Sequence, residues 1–385
     1  MRILQIHNHY RQRGGEDAVV EAEADLLASR GHKIIRYTVD NPRTTLRTIR
    51  TFAKAAWNKK AAQDLTYVIK TNQVDIAHVH NTWFTLTPSV LEALASAGTP
   101  VVMTLHNFRI MCANGMLLRN DKPCELCVGH TPWHALRFRC YRGSYVQSMV
   151  AARAIALNRD TWSHVDQFIA LSEFGKGRFV AGGLPAEKIH VKPHFVADPG
   201  LRESEPASSH SLLFVGRLSP EKGIEVLLEA WRALGKTNLK LVFIGDGPLM
   251  GLIRQSQNPR VESLGQLKPE LVREQMLKAR ALVFPSIWYE TFGLTIVEAF
   301  AAGLPVVASN LGGTPDLLGP SNQHWLFEPG NALDLASKLR WLEQDSVVNS
   351  AGATARRLYL DRFTPEHGLI ALENLYRSVL TNEAR

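Results

Sequence analysis

Glu290 and Glu298 stand eight positions apart, with Phe292, Gly293 and Leu294 between them. On one continuous helix eight residues overshoot two turns, so the two carboxylates would not share a face. They can act together only if Glu290 lies on a loop and Glu298 on the helix that follows. The residues support that division. Ala281 to Phe284 reads as a strand ended by Pro285, Ser286 to Gly293 as a loop, and Leu294 to Ala302 as a helix stopped by Gly303 and Pro305. The main-chain N–H groups near Phe292, Gly293 and Leu294 then open a helix N-terminus, which is a phosphate site by its nature. A phosphate held between two carboxylates puts hydroxyl-bearing groups, a sugar and a ribose, on either side. Earlier in the chain, Arg217 and Lys222 fall in the stretch Gly216 to Gly223, just after an apolar run. Two fixed cations there can neutralise a diphosphate leaving group without a metal, and the sequence has no Asp-x-Asp motif.

These residues need strands that deliver them to one edge. The second half supplies apolar strands at Ser211 to Val215, Lys240 to Ile244, Val261 to Leu264, Ala281 to Phe284 and Pro305 to Ser309. Each is followed by a loop rich in glycine or proline. Leu267 comes just after one of them. The first half opens the same way: strand Ile3 to His7, the pair Gly14-Gly15, a helix to about Arg30, and strand Lys33 to Val39. That is the start of a doubly wound sheet. The glycines do not follow Gly-x-Gly-x-x-Gly, which counts against a dinucleotide cofactor. Asp75 to His80 and Pro100 to Leu105 are further strands, and the second delivers His106 to the carboxyl edge, where open α/β sheets bind ligands. His78 and His80 read as structural. Residues 197–210 have linker composition.

At 385 residues the chain has room for two domains. Its charge is uneven. Residues 1–195 carry 25 Lys and Arg against 15 Asp and Glu, the remainder 19 against 21, and the whole +8. An anionic membrane or a diphosphate-linked acceptor suits the basic half, and no nucleic-acid module is present. Between Asp40 and Asp64 no acid occurs, and residues 41–63 read as a basic amphipathic helix, either packed on the sheet or lying on a membrane surface. Residues 126–159 also lack acids and interleave arginines with aromatics. No apolar run reaches membrane-spanning length, and the apolar start is too short for a signal peptide. The expected location is cytoplasmic, peripheral on the inner face of the membrane. All four cysteines, Cys112, Cys124, Cys127 and Cys140, fall within 29 positions. The spacing reads as a structural zinc site with no open position, an iron–sulfur cluster and free thiols being the alternatives.

The Glu290–Glu298 stretch resembles the Glu-x7-Glu motif of family-four retaining glycosyltransferases. Gly216 to Gly223 resembles that family's Gly-Arg-Leu-x-x-x-Lys-Gly signature, and Gly312-Gly313 its later glycine pair. His106 resembles the family's Thr-x-His-Asp segment, with Asn107 in place of the aspartate. The resemblance implies an α/β GT-B fold: two Rossmann-like domains facing a cleft, with a C-terminal helix returning to the first. The expected boundaries are 1–196 for the acceptor-side domain with a Cys-rich basic insertion at about 108–145, then a linker at 197–210. The nucleotide-sugar domain would be 211–360 and the returning helix 361–385. The implied reaction moves a sugar from a nucleoside diphosphate sugar to a saccharide or lipid-linked acceptor in surface polysaccharide or O-antigen synthesis, with no catalytic cofactor. Arg217 and Lys222 would stabilise the departing diphosphate, with Gly216 and the N–H groups at Phe292, Gly293 and Leu294. Glu298 would hold the ribose and Glu290 the donor sugar. Leu267 would lie near the base, Gly15 near the phosphate, and His106 at the sugar or acceptor. A GT-B epimerase or phosphorylase, and a non-enzymatic binding module, are the competing readings.

Overall fold

The computed structural model describes residues 1–10, 14–42, 52 and 54–383. The chain divides into two compact units. The first is Met1–Arg119, Cys124–Pro193 and Gly368–Arg385; the second is Asn120–Pro123 and His194–His367.

The first unit is built on a six-stranded sheet: β1 (Arg2–His9), β2 (Lys33–Asp40), β3 (Ile76–Asn81), β4 (Val101–Thr104), β5 (Gln167–Ala170) and β6 (Ile189–Val191). The spatial order is β2-β1-β3-β4-β5-β6 and every neighbouring pair is parallel. β1 and β3 are buried along nearly their whole length, as strands covered by helices on both faces must be. The chain leaves β1 toward β2 and returns on the other side to β3. Strand order therefore reverses at β1/β3, where doubly wound sheets open a crevice. The helix Gly15–Ser29 follows β1, and Asp17 at its third position accepts the Gly14 N–H at 2.9 Å.

The second unit repeats the plan with β7 (Ser211–Val215), β8 (Lys240–Ile244), β9 (Val261–Gly265), β10 (Ala281–Phe284), β11 (Val306–Ser309) and β12 (Leu326–Phe327). Its order is β9-β8-β7-β10-β11-β12, again parallel, with the reversal at β7/β10. The helix Ile224–Leu234 buries Leu227, Leu228, Trp231 and Leu234.

Two expectations are corrected. The basic helix read across 41–63 does not continue through that span. Residues 43–51 and 53 lie outside the described residues, but Lys54 to Ala56 turn and Asn58 starts a new helix, Lys59–Asn72. The Asn58 side chain accepts from the Ala61 N–H at 3.3 Å, a cap that ends one segment and begins the next. Residues 197–210, linker-like in composition, are packed on the second unit. Arg202 donates to the carbonyls of Met276, Ala279 and Ala302, and the buried Arg280 donates to those of Ala207 and Ser209. The helix Pro365–Glu383 ends the described chain, and from Gly368 it belongs to the first unit. There Tyr376 OH meets His78 Nδ1 at 2.7 Å and His32 Nε2 meets Glu373 Oε1 at 2.9 Å. No helix among the described residues is long and apolar enough to cross a membrane.

Candidate functional site

In the second unit the two glutamates lie as their spacing demands. Glu290 is on the loop after β10, and Glu298 is on the helix Leu294–Ala301. β7 and β10 are neighbours, so the loops that leave them meet at the strand-order reversal. Lys222 from the first loop places Nζ 2.6 Å from Glu290 Oε1. Ser286 Oγ and Trp288 Nε1 reach the same oxygen at 2.8 and 2.7 Å. Three donors therefore hold one oxygen of a nearly buried carboxylate, and Lys222 also sits over the faces of Trp288 and Phe284. Ser286 and Trp288 were not singled out from the sequence. Their only signal was position, four and two residues before Glu290.

The loops are locked through main-chain contact. Ile287 N–H donates to Glu221 O, and Gly313 N–H to Glu290 O at 2.8 Å. At Gly223, φ is +71°, and a Cβ would stand 1.9 Å from Pro285 O. At Gly312, φ is +64°, and a Cβ would stand 2.7 Å from Glu290 N. Only glycine fits either position, which is the physical content of both glycine signatures.

The helix at Leu294 begins with no acidic residue in its first turn, so no carboxylate of its own competes for its N-terminus. Phe292 is buried against His194 and Phe363, so its ring packs and only its main chain is offered. Burial pushes the Glu298 carboxyl up to about 7, against the pull of Arg273. Gly216 opens the loop after β7 and its N–H donates to Ile244 O. Gly245 N–H in turn donates to Gly265 O, so the edges of β7, β8 and β9 are joined. Leu267 is half-buried two residues beyond β9. Arg217 is exposed on the same loop as Lys222 and is not brought onto Glu290.

In the first unit the reversal at β1/β3 carries a polar cluster that sequence reasoning largely missed. His7 Nε2 and His9 Nδ1 both meet Asp17 Oδ1, at 3.0 and 2.7 Å, while Gly14 N–H takes the other oxygen. Burial alone would raise the Asp17 carboxyl, but these bonds hold it well below the usual carboxylate range. Burial, with Asp17 beside it, pushes Glu16 up to about 8. Asn107 Nδ2 donates to Tyr10 OH at 3.1 Å, so the residue that replaces the family's aspartate has a local partner. The period-two pair His7 and His9, ahead of Glu16-Asp17, was the available signal.

His106 sits in a line of imidazoles. Its Nε2 is 3.1 Å from His80 Nδ1, and His78 Nε2 is 2.8 Å from Thr104 Oγ1. Burial and the neighbouring histidines hold His80 well below its ordinary value, and burial does the same for His106. His106 is thus a neutral hydrogen-bonding group near pH 7. Beneath the line, Lys192 Nζ pairs with the fully buried Glu23 at 2.5 Å. Glu23, His78 and His80 lie close enough to share an ion, as do His7, His9 and Asp17. Ion pairing and hydrogen bonds already account for both groups. Gly15 is exposed as the first residue of its helix; residues 11–13 before it lie outside the described residues.

Arg109 packs against Trp83 and Tyr141, its guanidinium 5.1 and 5.7 Å from their ring centres. It lines one pocket of this unit with His80, His106, Trp83 and Asn107.

Residues 13–198 match the family described as Glycosyltransferase Family 4, and residues 202–358 match Glycosyl transferases group 1. The chain is 34% identical over 142 residues to a putative teichuronic acid biosynthesis glycosyltransferase, TuaC, of Bacillus subtilis. That match covers 37% of this chain and 35% of the relative, so the chain spans about a third of that protein's length. Among solved structures, the sucrose-phosphate synthase of Thermosynechococcus elongatus superposes with a TM-score of 0.73 at 17% identity, covering 99% of this chain and all of that one. Anabaena HepE in complex with UDP superposes with a TM-score of 0.68 at 20% identity, covering 98% of this chain and all of that one.

Proposed function

Since the chain belongs to the family-four glycosyltransferases and has the GT-B fold, we propose that it transfers a sugar from a nucleoside diphosphate sugar with retention at the anomeric carbon. The acceptor is a saccharide, lipid-linked, in surface polysaccharide or O-antigen synthesis. The observation that carries the reading is the Lys222–Glu290 pair at the β7/β10 reversal, beside a helix N-terminus that no carboxylate of its own occupies. The bound UDP of the similarly folded HepE supports a uracil nucleotide as the first to test.

In this reading Lys222 leaves Glu290 for the diphosphate when donor binds, and Arg217 joins it. Their charge counts most as negative charge grows on the leaving oxygen, so they act on turnover more than on binding. Glu290 turns its second oxygen to a donor-sugar hydroxyl and opposes the positive charge that develops at the anomeric carbon. Glu298 takes the ribose hydroxyls. The main chain from Phe292 to Leu294 and the Gly216 turn hold the phosphates, and Leu267 flanks the base. Gly15 and His106 serve the substrates from the first unit, His106 as a neutral hydrogen-bonding group. Two fixed cations make a catalytic metal unnecessary for leaving-group charge. The basic first half suits an anionic lipid surface on the inner face of the membrane.

The test is a metal-free thermal-shift panel of UDP, GDP, ADP, dTDP and CMP on wild type and Glu298→Ala. Stabilisation by one diphosphate, lost in the variant, is the expected result. Equal response to all five, or none from folded protein, overturns the donor site.

A further inference from the structure

We propose that Cys112, Cys124, Cys127 and Cys140 together bind one zinc ion, and that this ion staples the segment that carries the Arg109 pocket wall. All four residues line one small cavity of the first unit, with Arg119, His134 and Phe138 around them. None is in a disulfide. Main-chain hydrogen bonds anchor the backbone at each of them: Cys112 N–H donates to Phe108 O, Cys124 N–H to Leu117 O across a short hairpin, Cys140 N–H to Ala135 O, and His130 N–H to Cys127 O. Four thiolates around one small cavity are a donor set that selects zinc over harder cations.

The segment needs such a staple. Its buried cluster is Ala113, Ala135, Tyr141, Ala151 and Ala152, in which four of the five side chains are single methyl groups. The only helix between Cys112 and Cys140 is the four-residue His134–Arg137. Phe52, Trp83 and Leu136 pack on this cluster and Leu117 is buried, but most of the nearly thirty residues lie outside regular elements, and modules with small cores gain from metals or disulfides. Charge fits as well. A zinc tetrathiolate carries two negative charges, and residues 126–159 have arginines and no acid. Arg119 stacks on Phe138 at 4.3 Å and lines the same cavity as the four cysteines. Cys112 Sγ donates to Asn114 Oδ1 at 2.9 Å, and that proton is one of four released when the metal binds.

Cys140 packs against the same cluster as Trp83 and Tyr141, the two rings that flank Arg109. The ion therefore fixes the pocket wall through Cys140 and Tyr141. The inference does not depend on the proposed reaction.

The full chain, purified without chelator, is assayed for metal by mass spectrometry. One zinc per chain is expected, with no thiol reactive toward Ellman's reagent until a chelator exposes four. Cobalt replacement should give the intense charge-transfer absorption of thiolate ligands in a tetrahedral field. Chelation should also open residues 112–140 to protease while the rest of the chain resists. Cys124→Ser and Cys140→Ser should lose the metal and His134→Ala should keep it. Metal-free protein with four reactive thiols, disulfides found on peptide mapping, or a brown iron–sulfur chromophore would each overturn the proposal, whatever the variants do.

Discussion

Lys222 Nζ and Glu290 Oε1 are 2.6 Å apart, joined across the reversal between β7 and β10. The side chains are 23% and 7% exposed, so the pair is largely out of water. Removing the cation leaves a buried carboxylate with only Ser286 and Trp288 on it. Lys222→Met should cost about 3 kcal/mol of stability. Adding Glu290→Gln should recover most of that, because the unpaired charge is gone. Urea unfolding of the two single variants and the double variant measures the coupling. Additive losses would mean that the two groups are not paired in solution.

Glu298 gives a pH dependence of definite sign. Its ordinary value is 4.5 and burial raises it to about 7. Between those values the unfolded chain releases its proton while the folded chain keeps it. The contribution of Glu298 to the stability of the free protein should therefore fall as pH rises from about 4.5 to about 7, then level off. Glu298→Gln should remove that fall, read as Tm against pH. If the ionised form holds the ribose, nucleoside diphosphate binding should strengthen as pH rises through 7 in wild type and stay flat in the variant.

The buried histidines act in the opposite direction. Burial holds His78 at about 4 against an ordinary 6.5, and holds His80 and His106 well below that ordinary value. As pH falls from 6.5 toward 4 the unfolded chain binds protons that the folded chain refuses. Stability contributed by these groups is present above 6.5 and lost in that window. The stability difference between wild type and His78→Gln, read from urea midpoints, should shift against wild type as pH falls from 6.5 toward 4. Asp17, held below its ordinary 3.8, acts only at still lower pH.

Gly223→Ala should be among the most damaging single-methyl additions in the second unit. The backbone is left-handed and the new carbon would stand 1.9 Å from Pro285 O, a main-chain atom that cannot step aside. A loss of about 2 kcal/mol or more is expected, measured by urea unfolding. Gly235→Ala, at a similar φ of +74° with nothing within 4 Å, should cost less. The difference between them isolates the clash from the backbone strain.

The strands and the second-unit loops were legible because their signals are local. A short apolar run followed by glycine or proline marks both a strand and its carboxyl edge, and Glu290 could be placed off the helix by arithmetic alone. What depends on distant partners was not legible. Asp17 joins His7 and His9 only after β1 and its helix pack together. Glu23 meets Lys192 across 169 positions, and Tyr376 meets His78 across 298. No spacing rule reaches so far. Residues 197–210 misled for a related reason: their polarity suggested solvent, but Arg202 and Arg280 tie them to carbonyls on other elements.

The Tyr376–His78 bond also sets an order of events on the ribosome. Leu369, Leu372, Tyr376 and Val379 are buried, and they belong to the first unit. They are translated only after the whole second unit has been. The first sheet must wait for them with His78 unpartnered by the tyrosine and an apolar seam uncovered. That interval is when the nascent chain is most open to chaperones. A stop codon that removes residues from Gly368 onward should therefore be felt in the amino-terminal half, as aggregation during synthesis, with the loops around Glu290 still intact.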